Sequence, residues 1–155
     1  DQKLILDKLE RLWDDNVVVV AAAGNNGPRE GTVTVPGISR KIITVGASDD
    51  TGQGLNMLHG YSGRGPTGCC IVKPEITAPG TNILSLDHRG NYYVKKSGTS
   101  MATPVVCGAL ALALQKKPSL RPEELKLDLY LSARRQEKSA AAWGILDVDN
   151  LIDLI

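Results

Sequence analysis

The chain has 155 residues, 42% of them hydrophobic and 23% charged, with a formal net charge of +1. That is the length and balance of one globular domain with a real core, and no basic stripe marks a nucleic-acid partner. The opening stretch Asp1–Glu10 is too charged for a signal peptide, and the longest apolar run, Met101–Leu114, is too short for a membrane span.

Leu4, Ile5, Leu9 and Leu12 recur at helical spacing, which predicts an amphipathic helix from about Lys3 to Asp15. Val17–Val20 followed by Ala21–Ala23 reads as a strand buried on both faces of a parallel sheet. Gly24–Pro28 is loop by composition, Thr32–Val35 is extended, and Pro36-Gly37 turns the chain. Ile42–Val45 is a second apolar strand. Asp49–Gly68 reads as loop, with Asp49-Asp50 solvated. Glu75–Ala78 is a third strand, cut by Pro79-Gly80. Asn82–Leu86 and Tyr92–Lys95 form a hairpin.

Met101–Gln115 is apolar nearly all round and predicts a fully buried helix, with Pro104 in its first turn. Pro118 stops it and Pro122 opens another, although Leu125, Leu127, Leu129 and Leu131 alternate poorly for a helix. Ala140–Ile155 ends in a short strand and a helical turn. Alternating strands and helices, few aromatics and 16 glycines together predict an α/β layered sheet with tightly packed small residues. Ligands of such sheets bind beyond the carboxyl ends of the strands, which draws attention to Asn25.

Three cysteines give no disulfide framework and no zinc spacing, which favours a reducing, cytoplasmic compartment over secretion. Cys69 and Cys70 are adjacent and pair with each other only under strain. Cys107, inside the apolar run, reads as a small buried hydrophobe.

The chemistry centres on Gly98-Thr99-Ser100-Met101-Ala102-Thr103-Pro104. A serine at the start of a helix lies beside unpaired backbone amides at the positive end of the dipole, where an oxyanion can be held. From local physics alone an N-cap role is the better account of Ser100. The segment resembles the nucleophile motif of the subtilisin-like serine proteases, the subtilases. VVVVAAAGNNG at 17–27 resembles their oxyanion strand and loop, and IITVGA at 42–47 their next core strand. YSGRGP at 61–66, KPEITAPG at 73–80 and WGILDV at 143–148 are similar to further family segments, and all come in family order.

The resemblance implies the C-terminal half of a subtilisin-like fold: a mostly parallel sheet flanked by helices, with a buried nucleophile helix. It implies Ser100 as nucleophile and Asn25 as oxyanion donor, with the backbone amide of Ser100 as the second donor. Ala22, Gly24, Asn26 and Thr34 would line the pocket for the substrate side chain before the scissile bond, a neutral pocket suited to an apolar side chain. It also raises the expectation that the Val35–Pro36 bond is cis. No cofactor is expected; the resemblance alone would allow calcium, and no metal ligand is assigned.

The family takes its acid from an Asp-Ser/Thr-Gly strand end and its base from a His-Gly-Thr helix, both well upstream of the oxyanion loop. Neither motif is in this chain; His59 and His88 stand in other contexts and read as solvated loop residues. Arg121 stands where the family caps its last helix with Thr or Ser. The expectation is an endopeptidase part, acting on peptide or protein substrates and inactive alone, that pairs with a missing N-terminal half or with a second copy of itself. The alternative is a non-catalytic subtilase-like module that binds a partner chain or a pro-segment.

Overall fold

The computed structural model describes residues 1–50, 60–135 and 143–155. His59 and the start of the predicted final segment at Ala140 lie outside the described residues.

The elements are α1 (Gln2–Asp14), β1 (Val20–Ala22), β2 (Ile43–Ala47), β3 (Ile76–Ala78), β4 (Ile83–Leu86), β5 (Tyr93–Lys96), α2 (Thr99–Lys116), α3 (Pro122–Ser132), β6 (Gly144–Ile145) and α4 (Val148–Leu154). Four strands form a parallel sheet in the order β1-β2-β3-β6, and β4 and β5 form a separate antiparallel pair. Ala22 sits opposite Val45, and Ala47 opposite Ala78. The carboxyl ends of β1, β2 and β3 therefore lie at the same end of the sheet.

β2 and β3 are buried throughout, as expected of β-branched runs in a parallel sheet. The predicted Val17–Ala23 strand is shorter than its apolar run. Only Val20–Ala22 pairs, because β1 is the sheet edge, and Val17 is exposed. Thr32–Val35 joins no strand; the Thr34 amide donates to Ala23 O at 3.0 Å. Val35–Pro36 is cis.

α2 packs across β1, β2 and β3 through Ala102, Val106, Ala109, Leu110 and Ala113. Small residues on that face let the helix sit close to the sheet. The opposite face of α2 is uncovered, which corrects the expectation of a fully buried helix: Val105 is 37% exposed and Leu112 50%. Cys107 lies on that face and is exposed, so it is not a core residue. The helix begins at Thr99, which puts Pro104 beyond the first turn. With no N–H, Pro104 leaves the Ser100 carbonyl without its i+4 donor.

α1 is a helix as its periodicity predicts, but only Trp13 is buried; Leu4, Ile5 and Leu12 stay exposed. α3 resolves the awkward leucine spacing by burying Leu125 and Leu129, one helical turn apart, and exposing Leu127 and Leu131. Arg121 is its N-cap; Glu124 reaches back to accept the Arg121 amide at 2.7 Å.

At the sheet end away from the strand termini lies a buried ion cluster. Lys73 Nζ donates to Glu75 Oε1 at 2.6 Å, Thr44 Oγ1 at 3.0 Å and Ile42 O at 3.1 Å. Lys126 Nζ, from α3, meets the same Glu75 oxygen at 3.0 Å, while Glu75 Oε2 accepts the Thr44 amide at 2.9 Å. Lys126 also stacks its charge over Trp13 and Trp143. Burial pushes the Lys73 amine down to about 8 despite Glu75.

Candidate active site

The loops that leave β1, β2 and β3 converge on the N-terminus of α2. Gly24 follows β1 with φ 93°, a left-handed conformation that glycine adopts freely. A Cβ there would come within 2.5 Å of Thr34 Oγ1, so Gly24 and Thr34 are held in contact. Asn25 comes next, exposed, on the turn beyond the sheet edge.

Asn25 and α2 are joined by Thr99, which is fully buried. The Thr99 amide donates to Asn25 Oδ1 at 2.9 Å and the Thr99 hydroxyl donates to the same oxygen at 3.1 Å. The Thr99 oxygen also accepts the Gly24 amide at 3.2 Å. A backbone N–H can only donate, so the end of the Asn25 side chain facing Thr99 is the oxygen. Its Nδ2 is left to point elsewhere. Gly98, the N-cap, has φ 151°, and a Cβ there would approach Asn25 Nδ2 to 3.2 Å.

Ser100 is the second residue of α2 and is exposed. Among the described residues, neither its hydroxyl, nor its amide, nor Asn25 Nδ2 has a hydrogen-bond partner. The Ser100 amide and hydroxyl thus stand free in the first turn of an 18-residue helix, at its positive end, and Asn25 Nδ2 stands free beside its N-cap Gly98. Such an arrangement can receive a carbonyl whose oxygen takes on negative charge while the hydroxyl oxygen bonds its carbon.

Beside Ser100 runs a groove of about 220 Å³ between the β4–β5 hairpin and the first turns of α2, lined mainly by Ile83, Leu86, Val94, Met101 and Pro104. Of the four residues expected to form the substrate pocket, Gly24 and Thr34 are in contact, Ala22 ends β1 and Asn26 is exposed one residue beyond Asn25; none of them lines this groove.

Asp49 and Asp50, expected as a solvated loop pair, are instead tied into the fold, Asp49 half-buried and Asp50 buried. Asp49 Oδ1 accepts the Gly80 and Thr81 amides at 2.7 and 3.0 Å, and its carbonyl accepts the Thr81 hydroxyl at 2.8 Å. Gly80 O in turn accepts the Gly98 amide at 2.9 Å. Asp50 is buried and accepts the Ser62 amide at 2.8 Å. These carboxylates tie the loop after β2 to Gly80, Thr81 and Ser62, and through Gly80 to the N-cap of α2. Their place directly after a buried strand, where turn amides need acceptors, was the available signal in the sequence. Among the described residues no group of three or more His, Cys, Asp or Glu is arranged to hold a metal ion. His88 is exposed and its Nδ1 pairs with Asp87 at 2.9 Å in the β4–β5 turn.

The family model described as the subtilase family matches residues 4–144. Serine protease AprX of Bacillus subtilis (strain 168) is 42% identical over 134 residues, which cover 76% of this chain and 30% of AprX. The membrane-bound transcription factor site-1 protease of Mus musculus is 35% identical over 139 residues, covering 84% of this chain and 13% of that protein. Among solved structures, Sphericase matches with a TM-score of 0.79 at 29% identity, covering 96% of this chain and 53% of its own. The self-cleaved protease domain of PatA matches with a TM-score of 0.77 at 32% identity, again over 96% of this chain and 53% of that one. The chain therefore spans under a third of these curated relatives and about half of the solved chains.

Proposed function

The chain belongs to the subtilase family, and from that premise we propose that it carries the nucleophile and oxyanion side of a subtilisin-type serine endopeptidase. The observation that carries this reading is the Thr99–Asn25 pairing, which ties Asn25 to the residue before Ser100 and leaves its Nδ2 free beside the N-terminus of α2. An N-cap serine would spend its hydroxyl on its own helix amides; Ser100 does not.

In the proposed reaction a base takes the Ser100 proton as Oγ bonds the substrate carbonyl carbon. The carbonyl oxygen becomes an oxyanion between Asn25 Nδ2 and the Ser100 amide. Collapse breaks the C–N bond, the amine leaves with the proton, and water repeats the sequence on the acyl-enzyme. Ala22, Gly24, Asn26 and Thr34 receive the side chain before the scissile bond, and their lack of charge suits an apolar one. Base and acid come from outside these 155 residues.

The chain alone therefore hydrolyses no peptide above background, because an isolated oxyanion site retains only a small residual catalysis. A chromogenic peptide assay of the purified chain at neutral pH tests this. Turnover that Ser100→Ala abolishes would overturn the absent base. The uncovered faces of α1 and α2, and the free edge of β1, support a partner chain: the Asp- and His-bearing half, or a second copy.

A further inference from the structure

Residues Gly65–Lys73 form a hairpin-like loop that peptide hydrolysis leaves unused. The Gly65 amide donates to Lys73 O at 2.7 Å and the Thr67 amide to Ile71 O at 2.9 Å. The Cys70 amide closes a turn onto Thr67 O at 2.8 Å. Cys70 itself has φ 57°. A left-handed residue at the end of a three-residue hairpin loop is ordinarily glycine, since other L-residues are disfavoured there. Here that position holds a cysteine whose preceding neighbour is also a cysteine, and both are exposed.

We propose that Cys69 and Cys70 are a redox-modified dithiol that a small-molecule disulfide oxidises reversibly to a vicinal disulfide. One thiolate attacks the oxidant's S–S bond, forming a mixed disulfide and releasing one thiol. The adjacent thiolate then attacks the protein-bound sulfur and releases the second thiol. Two S–H bonds become one S–S bond, and the oxidant is reduced to two thiols. Consecutive Cα atoms stand only about 3.8 Å apart, below the roughly 4.4–6.8 Å usual for disulfides. The bond is strained and exposed, which makes it easily reduced again: a modification, and no structural cross-link. The tip has room for the change, because a Cβ added to Gly68 would meet nothing within 4 Å. The stem is independently fixed, since buried Thr67 also accepts the Ile71 amide on its hydroxyl at 3.3 Å. Cys107 supplies a contrast: it has no cysteine beside it in sequence, and partial burial pushes its thiol up.

Incubating the 155-residue chain with oxidised glutathione, alkylating the remaining thiols and mapping peptides by mass spectrometry tests the proposal. The expected peptide holding Cys69 and Cys70 is two hydrogens lighter and unalkylated, and a dithiol reductant restores both thiols. In Cys70→Ser the same treatment leaves a glutathione adduct on Cys69. Full alkylation of both wild-type cysteines, a lasting glutathione adduct on the wild type, or a disulfide-linked dimer would each overturn it.

Discussion

The amide and the hydroxyl of Thr99 converge on one oxygen of Asn25, at 2.9 and 3.1 Å, across 74 residues of sequence. That single acceptor fixes which way the carboxamide faces, and so where its N–H bonds can go. In Thr99→Val the hydroxyl is lost at nearly constant shape. The Gly24 amide then loses its acceptor and Asn25 one of its two donors. A stranded, partly buried polar group costs about 1–3 kcal/mol, so urea unfolding of the variant is expected at a lower midpoint with an unchanged slope. An unchanged midpoint would mean that water replaces the hydroxyl at no cost.

The proposed function gives Asn25 a second, separate role as an oxyanion donor. With the Asp- and His-bearing half supplied, Asn25→Leu is expected to lower kcat by about 10²–10³, the loss known for the oxyanion asparagine of a subtilisin and borrowed here. KM should move little, because the donor acts on charge that develops only in the transition state. A rise in KM at constant kcat would place Asn25 in ground-state binding.

Much of this site was legible before any coordinates. β2 and β3 are β-branched runs, and parallel strands buried on both faces leave that mark. Ser100 and Asn25 stand in segments of unmistakable pattern. The supports were not legible. Thr99, Asp49 and Lys73 work through partners 74, 32 and 31 positions away, and no local spacing encodes such contacts. Burial was misread at α2. α2 is apolar all round, yet this chain covers only one of its faces.

Asp49 is expected to matter more than a loop aspartate should. Asp49→Ala removes the acceptor of the Gly80 and Thr81 amides, under the carbonyl that holds Gly98. Two amides left without a partner cost about 1–3 kcal/mol each when water cannot reach them. Hydrogen exchange should accelerate at Gly80, Thr81 and Gly98 while the β1–β2 ladder keeps its protection. Equal acceleration throughout would mean global destabilisation only.

Lys73 predicts a rise of stability at alkaline pH. Its amine is down at about 8 in the folded chain and has an ordinary value of 10.5. Below pH 8 both states hold the proton, and the cost of the buried charge is fully present. Between about 8 and 10.5 the unfolded chain binds more protons than the folded one, so raising pH favours the fold. At about 1.36 kcal/mol per pH unit the gain is about 3 kcal/mol across that window. Glu75 keeps its contact with Lys126 Nζ. Urea midpoints of wild type and Lys73→Met, compared between pH 7 and 10 (roughly the window that linkage defines), isolate the effect. A parallel pH dependence in both proteins would refute it.

This chain leaves apolar surfaces open. Val105 and Leu112 face outward on α2, Leu4, Ile5 and Leu12 on α1, and β1 carries an unpaired edge. An open apolar strand edge is a template for pairing with another chain. Burying apolar surface contributes about 25 cal/mol per Å², so a helix face and a strand edge together leave several kcal/mol, on the order of a small interface, unrealised. The chain alone is therefore expected to associate, with the N-terminal half when present and otherwise with itself. Light scattering after size exclusion at micromolar concentration should show more than one chain per particle. Leu112→Glu places a charge in the centre of the α2 face and should shift the population toward monomer. The same particle mass for wild type and variant would remove α2 from the interface. A monodisperse wild-type monomer with a cooperative melt would show that the open faces are stable in water and need no partner.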